Sequence, residues 1–165
     1  MAGSKEVERF KKMVVNPWLF RGYLLKNLPL GLLVGLQIHD LTEDRCVTSV
    51  PFKWLNKNPF KSTYFACLTM AAELSAGAMA MMASMASEES IAVLVVNVDG
   101  SFVKKATSHT YFTCEEGGRL FAAVKEAEST DHGVTTRVHS DGLDQDGNQI
   151  AHFTTTWSFK KRVKK

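Results

Sequence analysis

Residues 62–87 read STYFACLTMAAELSAGAMAMMASMAS, and a single charge, Glu73, interrupts an otherwise apolar and small-residue run. The segment lacks Pro, has few β-branched residues and is rich in Ala and Met, so it predicts a helix of several turns that packs on all sides. It has the length of a membrane span. Against insertion stand Thr63, Ser75, Ser84 and the ionisable Glu73, and Ala contributes little driving force. The segment therefore reads as a buried core helix and the spine of the fold, and the lone carboxylate in it needs an explanation.

On its N-terminal side, residues 5–14 have helical spacing, and Asn16 ahead of Pro17 supplies an N-cap and an N1 proline for a second helix over 17–25. Pro29, Gly31 and Gly35 mark a turn leading into a strand around 34–41. After Glu43-Asp44 the chain returns over 45–51, where Cys46, Thr48 and Val50 alternate with Arg45, Val47 and Ser49. On the C-terminal side, the β-branched run 91–98 predicts a central strand buried on both faces and lying against the spine helix. Gly100 predicts a bulge, with extended chain continuing over 101–107 and 110–113. Thr113 and Glu116 have capping-box spacing before an amphipathic helix over 115–128 that carries Leu120, Phe121, Val124 and Ala127. A last hairpin turns at Asp146-Gly147 and sets Ala151, Phe153, Thr155, Trp157 and Phe159 on one face. The expected class is α+β, with a largely antiparallel sheet wrapped around one buried helix.

The 165 residues suit one domain, with N-terminal helices over 1–27 and a basic tail over 160–165. Residues 1–10 lack the apolar core of a signal peptide, and Cys46, Cys67 and Cys114 are an odd set without metal-ligand spacing, which points to a reducing cytoplasm. The net charge of +3 leans on Lys160, Lys161, Arg162, Lys164 and Lys165, read as a solubilising terminus rather than a nucleic-acid site. His39, His109, His132, His139 and His152 have no metal spacing, although His139 and His152 approach across the last hairpin; no metal is expected. The run 144–148 is a turn, because a calcium loop in its register would put Gly142 and Phe153 at the first and twelfth ligand positions.

The segment Asn58-Pro59-Phe60-Lys61-Ser62-Thr63-Tyr64-Phe65-Ala66 resembles, in position, the hot-dog thioesterase signature Asn-x-x-Gly-x-x-His-Gly-Gly. In the phenylacetyl-CoA thioesterase group a catalytic acid on the central helix follows the signature His by nine residues, and Glu73 follows Tyr64 by nine. The runs 52–58 and 157–160 look more specifically like a thioesterase-like hot-dog family of unassigned function, over about residue 17 to the C-terminus. Lys61 stands where the signature has Gly, Tyr64 where it has His, and Phe65-Ala66 where it has Gly-Gly.

The resemblance implies a hot-dog fold, a homodimer with a tetramer as the alternative, and an active site between two subunits. It implies acyl-CoA or another acyl thioester as substrate, with no cofactor beyond the coenzyme A that the substrate carries; the charge pattern and the long helix, for their part, lead to neither nucleic acid nor membrane as partner. Thioester hydrolysis needs a base or carboxylate nucleophile and donors aimed at the developing oxyanion. Glu73 is the candidate carboxylate, made more basic by apolar surroundings. The amides of Tyr64, Phe65 and Ala66, in the first turn of the helix, are candidate donors, and Asn58 a candidate for orienting water or carbonyl.

Ala66, Met70, Glu73, Gly77 and Ala80 share one helical face and leave a shallow groove beside the carboxylate. Met79, Met81, Met82 and Met85 are candidate acyl-pocket residues, and Lys53, Lys57, Lys61, Lys104 and Lys105 candidate contacts for nucleotide phosphates. Each residue also has a plainer reading: Glu73 as a structural carboxylate paired with a Lys, Arg or backbone donor at a helix kink or subunit contact, Asn58 as a turn residue before Pro59, Tyr64 as packing, the methionines as core, the lysines as solvated loop, and Cys67 as a buried thiol. The functional readings are thus an acyl-CoA thioesterase, a non-catalytic domain that binds an acyl ligand, and an acyl-thioester hydratase or dehydratase.

Overall fold

Asn16 makes the first corner of the chain: its Oδ1 accepts from the amides of Trp18 and Leu19 at 3.1 and 3.2 Å, separating helix α1 (Ala2–Val15) from α2 (Pro17–Asn27). The structure, a computed structural model, describes the backbone of residues 2–162 and the side chains of residues 5–162. Residues 29–34, expected as turn and strand, form a short helix instead, α3 (Pro29–Val34). Pro29 stands in its first turn, and Gly35 closes it in the left-handed region at φ 82°. The strand therefore starts later, β1 (Gln37–Leu41), and pairs with β2 (Cys46–Val50).

A 3-10 turn (Trp54–Asn56) and a loop lead into the long helix α4 (Phe65–Ala86). Then follow β3 (Ile91–Phe102), β4 (Thr110–Cys114), α5 (Gly117–Glu128), β5 (Val134–Asp144) and β6 (Gln149–Lys161). The six strands make one antiparallel sheet in the order β1-β2-β4-β5-β6-β3, curled around α4. This is the hot-dog arrangement. Gly147 sits at φ 81° in the last turn, where Asp144 Oδ1 accepts the amides of Asp146 and Asn148.

The central-strand reading of 91–98 is overturned. β3 is an edge strand that pairs only with β6 and leaves Leu94 and Val96 exposed. An unbroken apolar run looks the same in sequence whether the chain itself or something else covers its outer face. The bulge expected at Gly100 lies instead at Val96, where the register with β6 shifts, while Gly100 sits under the ring of Phe153, which leaves no room for a side chain. Thr113 and Glu116 form no capping box. The Glu116 carboxylate instead accepts from the backbone and ring of His139 and pairs with Arg119. Lys160 and Lys161 end β6 rather than forming a tail, and Lys164 and Lys165 lie outside the described residues.

Polar contacts in the core fix the rotation of α4. Thr48 Oγ1 donates to the Ala71 carbonyl at 2.6 Å, and the Ser75 and Ser140 hydroxyls meet at 2.7 Å, all from buried residues. With Leu68, Ala72, Ala76, Met79 and Ala83 buried, the remaining stripe of Met70, Glu73, Gly77 and Met81 is left half-covered.

Candidate active site

Glu73, Gly77 and Met81 of the half-covered stripe, with Leu74, Ala78 and Ser84, form the floor of a groove of about 530 Å³. Phe10 and Val14 of α1 with Tyr23 and Leu24 of α2 wall one side; Ile91 and Val93 of β3 with Trp157 of β6 wall the other. Helical spacing turns the α1 and α2 residues inward, and alternation along β6 turns Trp157 inward. The Tyr23 hydroxyl meets Met81 Sδ at 3.7 Å, linking α2 to α4.

Glu73 is the only carboxylate in this lining, and it makes no hydrogen bond or ion pair among the described residues. Its Oε1 lies 3.0 Å from the point where a Cβ on Gly77 would stand, and Trp157 Cη2 lies 3.2 Å from that same point. Removal from water raises the Glu73 pKa above the ordinary glutamate value, as an unpaired acid against apolar walls should show. Within one chain, then, the structural-carboxylate reading of Glu73 finds no Lys, Arg or backbone partner among the described residues, which leaves a partner at a subunit contact. Trp157 is itself buried, and its indole N–H has no acceptor among the described residues. The sequence reading placed Trp157 in the core row and missed it as a groove residue. Arg162, read only as tail, also lines the groove.

A second cavity, of about 580 Å³, lies at the other end of α4 and is lined by Asn58, Tyr64, Phe65, Phe102, Lys104 and Lys105 among others. Asn58 is bound into its own loop: Oδ1 accepts from the amides of Phe60 (2.9 Å) and Ser62 (3.2 Å), and Nδ2 donates to Ser62 Oγ (3.1 Å). Lys61 follows at φ 62°, the left-handed region that favours glycine, at the position where the thioesterase signature has Gly. The Tyr64 amide donates to the Asn56 carbonyl at 2.6 Å, so it is not free to bind an oxyanion. The amides of Phe65 and Ala66 have no acceptor among the described residues, as first-turn donors of a helix.

The candidates therefore divide. Glu73, Gly77 and Met81 share the groove; Asn58, Tyr64 and Phe65 share the second cavity; Ala66, Met70 and Lys61 line neither. Met79 and Met82 are fully buried in the core. Phe65 and Glu73 are eight residues apart on one helix, about 12 Å along its axis at about 1.5 Å per residue. One thioester cannot meet both within a single chain.

Burial pushes the thiols of Cys46, Cys67 and Cys114 upward, that of Cys114 to about 11, so none of the three is poised as a nucleophile. No group of three or more His, Cys, Asp or Glu side chains among the described residues is disposed to hold a metal ion.

A family model described as a domain of unknown function, DUF4442, matches residues 17–159. No curated protein sequence matches. Solved structures do. A Pseudomonas aeruginosa protein of unknown function, described as a probable thioesterase, is 18% identical with a TM-score of 0.73, covering 88% of this chain and 97% of that one. A Haemophilus influenzae thioesterase is 12% identical at TM-score 0.65, covering 90% and 93%. The PaaI protein from the phenylacetic acid degradation operon of E. coli is 13% identical at TM-score 0.59, covering 92% and 96%. At these identities the likeness is one of fold.

Proposed function

The chain belongs to the DUF4442 family, and from that membership and its hot-dog fold we propose that it is a thioester hydrolase acting on acyl-CoA or a related acyl thioester, with Glu73 as general base or nucleophile. One observation carries the reading: an unpaired carboxylate of raised pKa in an apolar groove large enough for an acyl chain. As base, the Glu73 carboxylate takes a proton from water while the water oxygen bonds to the thioester carbon. The C–S bond then breaks and the proton passes to the departing sulfur, leaving acid and thiol.

The oxyanion donors come from a second copy. β3 is an exposed apolar edge, which invites pairing. Its first residues, Ile91 and Val93, line the Glu73 groove, and its last, Phe102, lines the second cavity. Antiparallel pairing of two β3 edges would set the Glu73 groove of one copy beside the Phe65 and Ala66 amides of the other, closing the gap that no single chain can close. Lys104 and Lys105, which line the second cavity, would then face the nucleotide of coenzyme A. The protein would work as a homodimer in the cytoplasm, without cofactor.

A second reading, acyl binding without turnover, is favoured by Asn58, whose polar atoms are engaged in its own loop. Incubation with a panel of acyl-CoA esters and detection of free thiol separates the two. Hydrolysis by the parent, reduced about 10²-fold or more in a folded Glu73→Gln variant, supports the first. Retention of ligand without thiol release supports the second.

A further inference from the structure

We propose that the outer face formed by α2, α3 and the 3-10 turn docks the protein on the surface of an anionic lipid bilayer. Trp18 is 79% exposed and Trp54 83%, among the most solvent-exposed large apolar side chains of the chain, and Leu25, Leu30, Leu33 and Leu55 are each more than half exposed. Trp18 and Leu25, seven residues apart, project from α2 on the side away from the buried Phe20 and Leu24. The turn is tied to α3 by Lys53 Nζ donating to the Leu33 carbonyl at 2.7 Å and Asn56 Nδ2 donating to the Val34 carbonyl at 2.8 Å. The turn that carries Trp54 and Leu55 is thereby held against the C-terminal end of α3. So many large apolar groups in one region mark an interaction surface rather than scattered exposure.

The charges say what kind. Residues 9–39 and 45–72 contain no Asp or Glu, while Arg21, Lys26, Lys53 and Lys57 are interleaved with the exposed indoles and leucines. The Arg21 guanidinium lies 5.7 Å from the centre of the Trp18 ring. A second copy seated two-fold on this face would bring cations against cations with no acid to answer them. Indole and leucine side chains that enter the headgroup region, with Arg and Lys reaching back to lipid phosphate, fit an anionic interface instead. Leu28, at the junction of α2 and α3, also lines the Glu73 groove, so this face adjoins the groove. The expectation of no membrane partner rested on the long helix alone, and α4 is indeed mostly buried in the core. Docking by this face needs no insertion of α4 and does not depend on the hydrolase reading.

Flotation of the full chain with phosphatidylcholine vesicles, and with vesicles that also contain phosphatidylserine, tests it. Binding is expected to the anionic vesicles only, weakened by salt and by about tenfold or more in Trp18→Ser/Trp54→Ser. Should that variant lose its fold, Arg21→Glu/Lys53→Glu stands in, with the same loss expected. Absence of parent binding, equal binding to neutral vesicles, or unchanged binding by both variants would overturn the proposal. So would variants that bind vesicles normally but change the oligomeric state, which would assign the face to a second copy.

Discussion

The carboxylate of Glu73 lies back over Gly77, one helical turn further along α4, with Oε1 3.0 Å from where a Cβ at Gly77 would stand and the Trp157 ring edge 3.2 Å from the same point. The missing side chain leaves room for both groups. Gly77→Ala gains about 1 kcal/mol of helix propensity and offsets it by pressing on both neighbours, so thermal stability should change little. Turnover should fall, and Gly77→Val should abolish it by filling the groove. Melting curves and thiol release on the two variants check this.

Burial holds Glu73 protonated to higher pH than an ordinary glutamate. With Glu73 as the proposed base or nucleophile the ionised form would be the active one, and kcat/KM should rise with pH along a limb displaced upward from the ordinary glutamate range. The stability effect has the opposite sign. The folded state binds the proton more tightly than the unfolded state, so this group's contribution is full below the unfolded pKa and is lost as pH rises through the folded one. Glu73→Gln should therefore be at least as stable as the parent at pH 7, with the difference closing in acid, as denaturant melts across pH would show.

Lys61 holds φ 62° in the Asn58 loop. Lys61→Gly removes the left-handed penalty of a side chain, worth about 1 kcal/mol, and should raise Tm by about 2–4 °C. A fall in Tm would mean that the lysine side chain itself holds the loop.

Asn58→Ala takes the acceptor from the exposed Phe60 and half-buried Ser62 amides and should cost about 1 kcal/mol in denaturant titration. The accompanying loss of activity should track the loss of fold. A folded, fully stable but inactive Asn58→Ala would instead give Asn58 a direct role.

A charge on the exposed β3 edge blocks strand pairing. On the proposed two-copy site, Leu94→Lys should lower the sedimentation mass from that of two chains to that of one and remove turnover with it.

Much of this was legible in the sequence. The spine helix, the Asn16 cap and the last hairpin each carry a local signal, a long Ala/Met run, an Asn-Pro step and an Asp-Gly turn, that tertiary structure had no reason to override. The errors fell where the local signal was ambiguous. Pro29 and Gly35 punctuate a one-and-a-half-turn helix as readily as a loop, and an apolar β3 looks central whether or not the chain covers it. For the site, Glu73 stood out because charge is rare in an apolar helix. Trp157 did not, because an inward aromatic on a strand looks the same over a groove as in a core, and only the opposing Gly77 tells them apart. The resemblance supplied spacing, whereas the occupied Tyr64 amide depends on its long-range bond to Asn56, which no spacing reveals.

The most direct test of the composite site is complementation. Phe65→Pro removes one proposed oxyanion donor at a helix N1 position that accepts proline, behind a Tyr64 already extended at φ −63° and ψ 134°. Glu73→Gln removes the proposed base. Each variant alone should be inactive, by about 10²-fold or more, towards an acyl-CoA that the parent hydrolyses. After the two are unfolded and refolded together, mixed dimers should carry one intact site, and free-thiol release should return to about a quarter of the parent rate. No recovery, with mixed dimers present and folded, would place Glu73 and its donors within one chain and contradict the account.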